Sequence, residues 1–515
     1  MPDPVYLGID VGTGSVRAGL FDQSGRILVS ASRPIELYQD SGGIAEQSSE
    51  DVWGAVCQAT KEALNLGRIT PADVCGIGFD ATCSLVVVDH DGAPLSISAT
   101  GDPNRNIIVW MDHRATDQAA WINTAKHDVL QYVGGQISPE MQTPKLLWLK
   151  QNQPSQFDKA GHFFDLADFL TWRATDSLVR SSCTVTCKWT YIAHESRWDR
   201  SYFASIGLRC LADEEFARIG AEIRQPGTAI ASGLTAKAAR ELGLAEGIPV
   251  AAGVIDAHAG GIATVGASGG PGDATTRMAY VFGTSACTMT STATKTYVQG
   301  VWGPYFDAMV PNLWLNEGGQ SSAGDAINRL LAMHPSAADQ GLDPDTLADS
   351  VTSEIQVEAD KITVIPDFNG NRSPDADPDA RAIIAGLGTD TSAAALYAAG
   401  VAGIGYGLRQ ILSAQALAGI TTDAVVISGG AGKHPFVRQT LANTTGLPIL
   451  VTETDEPVLL GSAMLGAVAG GAYPDLATAM TAMSRLTDAI QPEPARVLRH
   501  DTGFARFCAL QDAAR

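Results

Sequence analysis

One local pattern, an apolar strand followed by a glycine-containing turn and a second strand, occurs twice in this chain. The first copy is VYLGIDVGTGSVRAGLFD at residues 5–22, and the second is RMAYVFGTSACTMTS at residues 277–291. After the first turn, Val16, Ala18 and Leu20 recur at every second position, which predicts a strand and not the helix of a dinucleotide-binding loop. A repeat at about half the chain length predicts an α/β protein with two duplicated domains facing each other across a central cleft.

The sequence around each copy extends the pattern. A third strand is expected after the DQSG turn. A helix should follow it, because Ser48 and Asp51 form a capping-box pattern. Residues 95–245 have no counterpart in the second half, and their Trp, Lys and Asp content indicates an inserted, substrate-facing subregion. The two domains are expected at residues 1–262 and 263–515.

Each turn is a candidate phosphate site. Short Gly-Thr hairpins can direct several backbone N–H groups at one anion without a helix. Two such turns could grip adjacent phosphates of one nucleotide; the residues are Gly12, Thr13 and Gly14 in the first turn, and Gly283, Thr284 and Ser285 in the second. The alternative is an ordinary hairpin, because glycine and serine are common turn residues.

Asp10 precedes the first turn by two residues, whereas Val281 and Phe282 precede the second. A nucleoside triphosphate normally arrives with Mg²⁺, which prefers carboxylate and water oxygens. Asp10 is therefore predicted to be the metal-side carboxylate, acting through water. A turn-capping aspartate is the alternative.

A second carboxylate, Asp256, stands in PVAAGVIDAHAGGIATVG between an apolar strand and a helix rich in small residues. This position would lift it into a cleft at a strand end. Phosphoryl transfer to an alcohol needs an acceptor for the hydroxyl proton, and one aspartate can serve. A helix-capping aspartate is the alternative.

Gly429 and Gly430 in SGGAGKHPFVRQTL follow a predicted strand and precede a predicted helix. Two consecutive glycines allow a backbone to approach a flat ligand such as adenine and its ribose. Taken alone, this pattern does not identify a nucleotide site.

Composition removes several classes of partner. The 515 residues carry a formal net charge of -21, and no Lys/Arg run is present, which disfavours nucleic acid. The eight cysteines form no C-x-x-C pair, so reduced thiols and a cytoplasmic location are expected. The apolar stretch at residues 458–473 is shorter than a membrane span and predicts a packed core helix.

Several motifs in one order resemble the FGGY family of carbohydrate kinases. They are GIDVGTGSVRAGLFD, WMDHRA, GVIDAHAG, VFGTS, ISGGAGKHPF and EPVLLGSAMLGA. Within the family, the chain most resembles the ribulokinase branch, in particular its D-ribulokinase-like FGGY-domain proteins. The stretches that carry this resemblance are YVGGQISPEMQTPKLLWLK, HFFDLADFLTWRAT, SSCTVTCKWTY, GVWGPYFDAMVPNLWLNEGGQS and PDFNGNRSPDADP. The last of these departs from the FGGY tetrad in its spelling.

The resemblance implies two duplicated ribonuclease-H-like domains of the actin and hexokinase type, with the sugar and the catalytic aspartate in the first and ATP in the second. Asp256 then corresponds to the base that deprotonates the terminal hydroxyl of the sugar. Lys188 and Glu317 correspond to sugar-hydroxyl contacts, and Ala81 and Thr82 to a substrate-lining loop. The implied ATP contacts are Thr284, Gly324, Asn328, Gly430 and the Lys433 of ISGGAGKHPF.

The implied activity is ATP-dependent phosphorylation of a pentulose, with D-ribulose converted to D-ribulose 5-phosphate and with ATP and Mg²⁺ as cofactors. The alternatives are the same chemistry on L-ribulose, D-xylulose or a pentitol such as ribitol, and, in another class, a nucleotide-switched sugar sensor. No membrane or nucleic-acid partner is expected. A homodimer is the expected oligomer, because symmetric dimers are common.

Overall fold

The computed structural model describes residues 4–514. Its strands, numbered in chain order, are β1 (Val5–Val11), β2 (Ser15–Asp22), β3 (Ile27–Pro34), β4 (Tyr38–Asp40), β5 (Ile44–Gln47), β6 (Val74–Ala81), β7 (Leu85–Asp89), β8 (Ile107–Ile108), β9 (Ala160–Asp165), β10 (Arg180–Ser181), β11 (Ile223–Arg224), β12 (Val254–Ile255), β13 (Arg277–Phe282), β14 (Ala286–Thr292), β15 (Trp302–Phe306), β16 (Trp314–Gln320), β17 (Thr363–Ile365), β18 (Ile383–Ala385), β19 (Ala424–Ser428), β20 (Ile449–Thr452) and β21 (Leu486–Ile490).

The α-helices are α1 (Ser49–Gly67), α2 (Thr116–Thr124), α3 (Gln142–Asn152), α4 (Pro154–Lys159), α5 (Leu166–Thr175), α6 (Ser182–Trp189), α7 (Arg200–Ser205), α8 (Arg209–Asp213), α9 (Ala236–Leu242), α10 (Asp256–Val265), α11 (Gly324–Met333), α12 (Pro335–Gln340), α13 (Pro344–Ser350), α14 (Ser353–Ala359), α15 (Ala393–Leu417), α16 (Pro435–Thr445), α17 (Pro457–Ala469), α18 (Leu476–Met483) and α19 (Pro494–Ala513). Short 3-10 helices occupy Asp128–Tyr132, Ala193–Glu195 and Gly430–Gly432.

The first sheet has the order β12-β6-β1-β2-β3. Strands β1, β2 and β3 form the antiparallel meander that their turn sequences predict, and β6 lies parallel to β1. The helix expected after the meander is α1, where the Ser48 side chain accepts a hydrogen bond from the Asp51 backbone N–H at 3.3 Å. The parallel pairs align the ends of β1, β6 and β12, because Ala81 stands beside both Val11 and Ile255.

A second sheet has the order β15-β16-β14-β13-β19-β20-β21. Its central five strands match the first sheet one for one: β13 pairs antiparallel with β14, β14 with β16, and β13 runs parallel to β19, which runs parallel to β20. The duplication expected from the two turns is therefore confirmed at the level of strand order and direction.

Helices α10 and α17 pack against each other between the two sheets. Helix α10 follows β12 of the first sheet but packs on β13 and β19 of the second, whereas α17 packs on β1 and β6 of the first. The apolar stretch at residues 458–473 is thus largely a buried core helix, as its small residues predict. The boundary expected between residues 262 and 263 falls inside α10 (Asp256–Val265).

The inserted subregion is built differently. It contains helices α2 to α8, and it contributes β8 and β9 to a third sheet of order β4-β5-β8-β7-β9, on which α5 packs. Helix α6 contacts β12 and β15, one strand from each duplicated sheet. Across residues 4–514, no helix combines the length and apolar character that a membrane crossing requires.

Candidate active site

A cleft of about 330 Å³ opens where the ends of the two sheets meet the inserted subregion. It brings together side chains that are far apart in sequence. Seven of the predicted site residues line it: Asp10, Gly12, Thr13, Thr82, Lys188, Asp256 and Glu317. Ser285 of the second turn also lines this cleft, so both turns reach the same space.

Each turn is closed by a backbone hydrogen bond from its first glycine, and the first turn is one residue longer. The Gly12 N–H donates to the Ser15 carbonyl at 3.0 Å, and the Gly283 N–H donates to the Ser285 carbonyl at 3.0 Å. Thr13 is further fixed by the inserted subregion, because the Trp110 indole N–H donates to its hydroxyl at 3.1 Å. Each half therefore has a hydrogen-bonded turn at one end of its sheet.

The Asp10 carboxylate lies in the cleft beside the Arg17 guanidinium group. It stands opposite Arg17 in the antiparallel pair, and the Arg17 Nε donates to its Oδ2 at 2.8 Å. Another nitrogen of Arg17 pairs with Glu456 at 2.5 Å, at the start of α17. Arg17 therefore links the first turn to the helix that comes from the second half of the chain.

A further carboxyl group, Asp80, lies beside Asp10 on the neighbouring parallel strand. Its side chain is fully buried, and Ser462 of α17 donates to its Oδ2 at 2.5 Å. Burial, reinforced by the charge of Asp10, raises the pKa of Asp80 well above its usual value. The surroundings of Asp80 thus oppose a second negative charge beside Asp10.

Asp256 is the first residue of α10, and its Oδ1 accepts a hydrogen bond from the Ala257 N–H at 2.7 Å. Burial, and after it the charge of Asp10, raises the pKa of the Asp256 carboxyl group to about 6. A carboxylate with a pKa this close to neutrality can both accept and release a proton. Asp256 is therefore both the first residue of α10 and part of the cleft wall.

Lys188, at the end of α6, and Glu317, on β16, meet on the opposite wall. The Lys188 Nζ lies 3.7 Å from Oε1 of Glu317, and both side chains are buried. Although burial opposes ionisation, Lys188 and a hydrogen bond from His258 lower the pKa of Glu317 to about 2. The pair therefore offers a fixed donor and a fixed acceptor, which is the pairing that sugar hydroxyls require.

A second pocket, of about 520 Å³, adjoins the other side of the second turn. It lies between that turn, α11 and the start of α16. The predicted ATP residues that line it are Gly283, Thr284, Gly324, Asn328 and Gly430. Gly324 is required by close packing, because a Cβ atom there would lie 2.7 Å from the Gly283 carbonyl oxygen.

Four predicted residues line neither space. Ala81 is fully buried at the end of β6, and Gly14 is exposed at the tip of its turn. Gly429 has a φ of 92°, and a Cβ atom there would meet the Phe282 carbonyl oxygen at 2.4 Å, so chain packing accounts for this glycine. Lys433 points to the surface with an exposed side chain and lies 3.7 Å from Asp455.

Sequence reasoning assigned no role to several residues of the cleft wall. They are Trp110, Glu140, Trp302 and Arg372, together with Cys83 and Cys287. Trp302 lies under two cations, with the Lys188 Nζ 4.7 Å and the Arg372 Cζ 5.8 Å from its ring centre. Trp110, Glu140, Trp302 and Arg372 lie, in that order, in the motifs WMDHRA, YVGGQISPEMQTPKLLWLK, GVWGPYF and PDFNGNRSPDADP. The sequence therefore marked these stretches but gave none of the four residues a role.

The cleft contains the donor set that a magnesium nucleotide needs. Asp10 contributes carboxylate oxygens, which are the hard ligands preferred by Mg²⁺. Both turns reach the same cleft, the first through Gly12 and Thr13 and the second through Ser285, and such turns can direct backbone amides at an anion. The residues present therefore fit a metal-bound polyphosphate.

Two family models match the chain. The model for the N-terminal domain of the FGGY family of carbohydrate kinases matches residues 5–263, and the model for the C-terminal domain matches residues 278–470. The intervening residues 264–277 contain the loop that follows α10.

Curated proteins and solved structures match along most of the chain. An FGGY carbohydrate kinase domain-containing protein from Homo sapiens is 43% identical, over 99% of this chain and 96% of its own. A D-ribulokinase from Saccharomyces cerevisiae is 36% identical, over 90% of this chain and 72% of its own. A ligand-bound xylulose kinase from Lactobacillus acidophilus has the same fold, with a TM-score of 0.83, 21% identity and coverage of 99% and 98%.

Proposed function

This chain belongs to the FGGY family of carbohydrate kinases, and we propose that it transfers the γ-phosphoryl group of ATP to the terminal hydroxyl of a pentulose, with D-ribulose preferred. One observation carries the proposal. Asp256, with a pKa raised to about 6, lines the same cleft as both phosphate turns and the Lys188–Glu317 pair.

In the proposed reaction, Asp256 accepts the proton of the sugar hydroxyl as the oxygen attacks the γ-phosphorus. The new bond joins that oxygen to phosphorus, and the bond from phosphorus to the bridging oxygen breaks, so ADP leaves with that electron pair. The proton then passes from Asp256 to water. General base catalysis of this kind contributes about 10²- to 10⁴-fold to the rate.

Asp10 would hold Mg²⁺ through water, and bound magnesium would neutralise charge on the phosphates. The chain's own contribution is rigidity. Arg17 fixes the Asp10 carboxylate, and internal hydrogen bonds fix the two turns that would hold the phosphate chain. The pocket beside Gly324 and Gly430 would then receive the adenosine.

Lys188 and Glu317 support a polyhydroxy acceptor, because a buried donor and acceptor reject analogues that leave either of them unpaired. The choice of D-ribulose draws support from the relative in Saccharomyces cerevisiae, which is named a D-ribulokinase. We expect the Trp302 ring to pack against the carbon face of the sugar, with the hydroxyls directed at Lys188 and Glu317.

A substrate panel tests the proposal. Initial rates with ATP and Mg²⁺ are measured on D-ribulose, L-ribulose, D-xylulose and ribitol, with glycerol as the small acceptor. The highest kcat/KM is expected for D-ribulose. A wide preference for another pentulose or for ribitol would replace the substrate but keep the chemistry, whereas tight sugar and ATP binding without turnover on any acceptor would favour a nucleotide-switched sensor.

A further inference from the structure

A buried chain of polar side chains leads away from the cleft behind the Lys188–Glu317 pair. It starts at Glu317 on β16, which lines the cleft, and continues through His258 on α10 to Cys183 on α6, neither of which lines it. Cys183 and His258 are completely buried, so neither reaches a ligand in the cleft. These contacts join three elements, α6, α10 and β16.

His258 is bonded through both ring nitrogens. Its Nδ1 lies 3.0 Å from the Cys183 sulfur, and its Nε2 lies 3.4 Å from Oε2 of Glu317. The other oxygen of the same carboxylate, Oε1, faces Lys188 at 3.7 Å. Glu317 is therefore held from behind by His258 on one oxygen and from the side by Lys188 on the other.

The Cys183 sulfur acts as an acceptor for several donors. The Ile255 N–H donates to it at 3.3 Å, and the Cys187 thiol, one turn along α6, also bonds to it. Although burial opposes ionisation, these bonds and the neighbouring imidazole lower the pKa of Cys183 to about 5. Burial likewise opposes charge on His258, but Cys183 and Glu317 raise its pKa to about 10.

His258 therefore contacts a sulfur through one ring nitrogen and a carboxylate oxygen through the other. The sulfur ties the ring to Ile255, the residue directly before Asp256. The orientation of His258 is thus fixed by the same strand end that positions the catalytic carboxylate.

We propose that His258, held by Cys183, is a positioning residue that fixes the Glu317 carboxylate for a sugar hydroxyl and keeps it in register with Asp256. This inference rests on the proposed function, since it concerns the sugar half of that site. His258 does not touch the substrate. Its effect is expected on sugar affinity and not on ATP affinity.

A metal ion is the competing explanation, because ligand atoms of Cys187, His258 and Glu317 all lie within 4.8 Å of one another. One observation favours the hydrogen-bonded chain. Lys188 already pairs with Glu317, so a divalent ion would stand beside an ammonium group.

The first test is His258→Gln, which keeps a polar group but cannot bond to Glu317 and Cys183 together. KM for D-ribulose is expected to rise roughly 10- to 100-fold, the range for losing a hydrogen bond to a charged group. KM for ATP should stay within about twofold. His162→Gln, a histidine replacement on β9 away from the cleft, is the matched control and should leave both constants unchanged.

The second test compares Cys183→Ser with Cys183→Ala. A serine oxygen can still accept from His258, so Cys183→Ser should keep a lower sugar KM than Cys183→Ala. A role in packing alone predicts the reverse order, because alanine is the more apolar replacement. Cys57→Ser, at a buried cysteine of α1, controls for general loss of stability. If His258→Gln does not fold, this pair of variants carries the test.

The outcomes separate the two proposals. A wild-type enzyme inactive on every pentulose would refute the proposed function, and the positioning role with it. An active wild type whose His258→Gln variant keeps its sugar KM within twofold would overturn the positioning role alone. Stoichiometric zinc in the purified wild type that is lost in His258→Gln would overturn it in favour of a metal centre.

Discussion

At the scale of single residues, the cleft separates its carboxyl groups by environment. Burial beside Asp10 raises the pKa of Asp80 well above its usual value, while Lys188 and a hydrogen bond from His258 lower the pKa of Glu317 to about 2. Asp256 lies between these extremes, with a pKa of about 6. Groups whose environments push their pKa values apart can take different chemical roles within one site.

The pKa of Asp256 predicts how activity depends on pH. The base must be ionised to accept the sugar proton, so kcat/KM for the sugar should be constant above about pH 7 and fall as pH is lowered through about 6. Initial rates from pH 5 to 8 at low sugar concentration measure this limb. A profile that stays flat down to pH 5 would contradict the assignment of Asp256 as the base.

At the scale of elements, the packing of α17 and α10 depends on glycine. A Cβ atom on Gly461 of α17 would lie 2.0 Å from the Ala259 carbonyl oxygen of α10. On the sheet side, a Cβ atom on Gly76 of β6 would lie 2.0 Å from the Gly466 carbonyl oxygen. Both obstacles are backbone atoms, which cannot move aside as a side chain can. These elements therefore approach at backbone distance.

Gly461→Ala is expected to destabilise the protein by at least about 1–3 kcal/mol, the usual range for overpacking a core. The matched control is Gly54→Ala in α1, where a Cβ atom would meet nothing within 4 Å. Because alanine favours a helix over glycine, the control should be neutral or stabilising by up to about 1 kcal/mol. Urea unfolding of both variants provides the comparison, and equal midpoints would contradict the packing argument.

Local patterns predicted the elements that carry their own signal. An apolar run identified β1, alternating apolar residues identified β2, the Ser48 cap identified the start of α1, and small residues identified α17 as buried. Asp256 at a strand-to-helix junction was also placed from local sequence. In each case the physical cause lies within a few residues of the element itself.

Contacts set by tertiary register were not predictable in this way. Ala81 is the last residue of β6 and Thr82 follows it, yet only Thr82 lines the cleft. Arg372 and Trp302 enter the cleft from loop and edge-strand positions that no periodicity marks. The pairing of Lys188 with Glu317 joins the insertion to the second sheet and has no local signal.

At the scale of the whole molecule, the two halves exchange helices. Helix α10 comes from the first half and packs on the second sheet, and α17 comes from the second half and packs on the first sheet. The Arg17–Glu456 ion pair and the Asp80–Ser462 hydrogen bond cross the same junction. Neither half therefore has a complete core of its own.

This exchange predicts that residues 1–272 alone do not form a stable domain, because the face of the first sheet on which α17 packs would be exposed. The fragment should show no cooperative thermal unfolding transition by circular dichroism, and co-expression with residues 273–515 should restore one. The intact chain is the control. A sharp transition in the isolated fragment would contradict the account of the shared core.

The central claim is that Asp256 is the base of a pentulose kinase, and its most direct test compares the wild type with Asp256→Asn on D-ribulose. We expect kcat to fall at least about 100-fold, while the Kd for ATP, measured by calorimetry, stays within about threefold. Asp158→Asn, at an exposed position in α4, should match the wild type. An Asp256→Asn enzyme that phosphorylates D-ribulose at the wild-type rate would contradict the account.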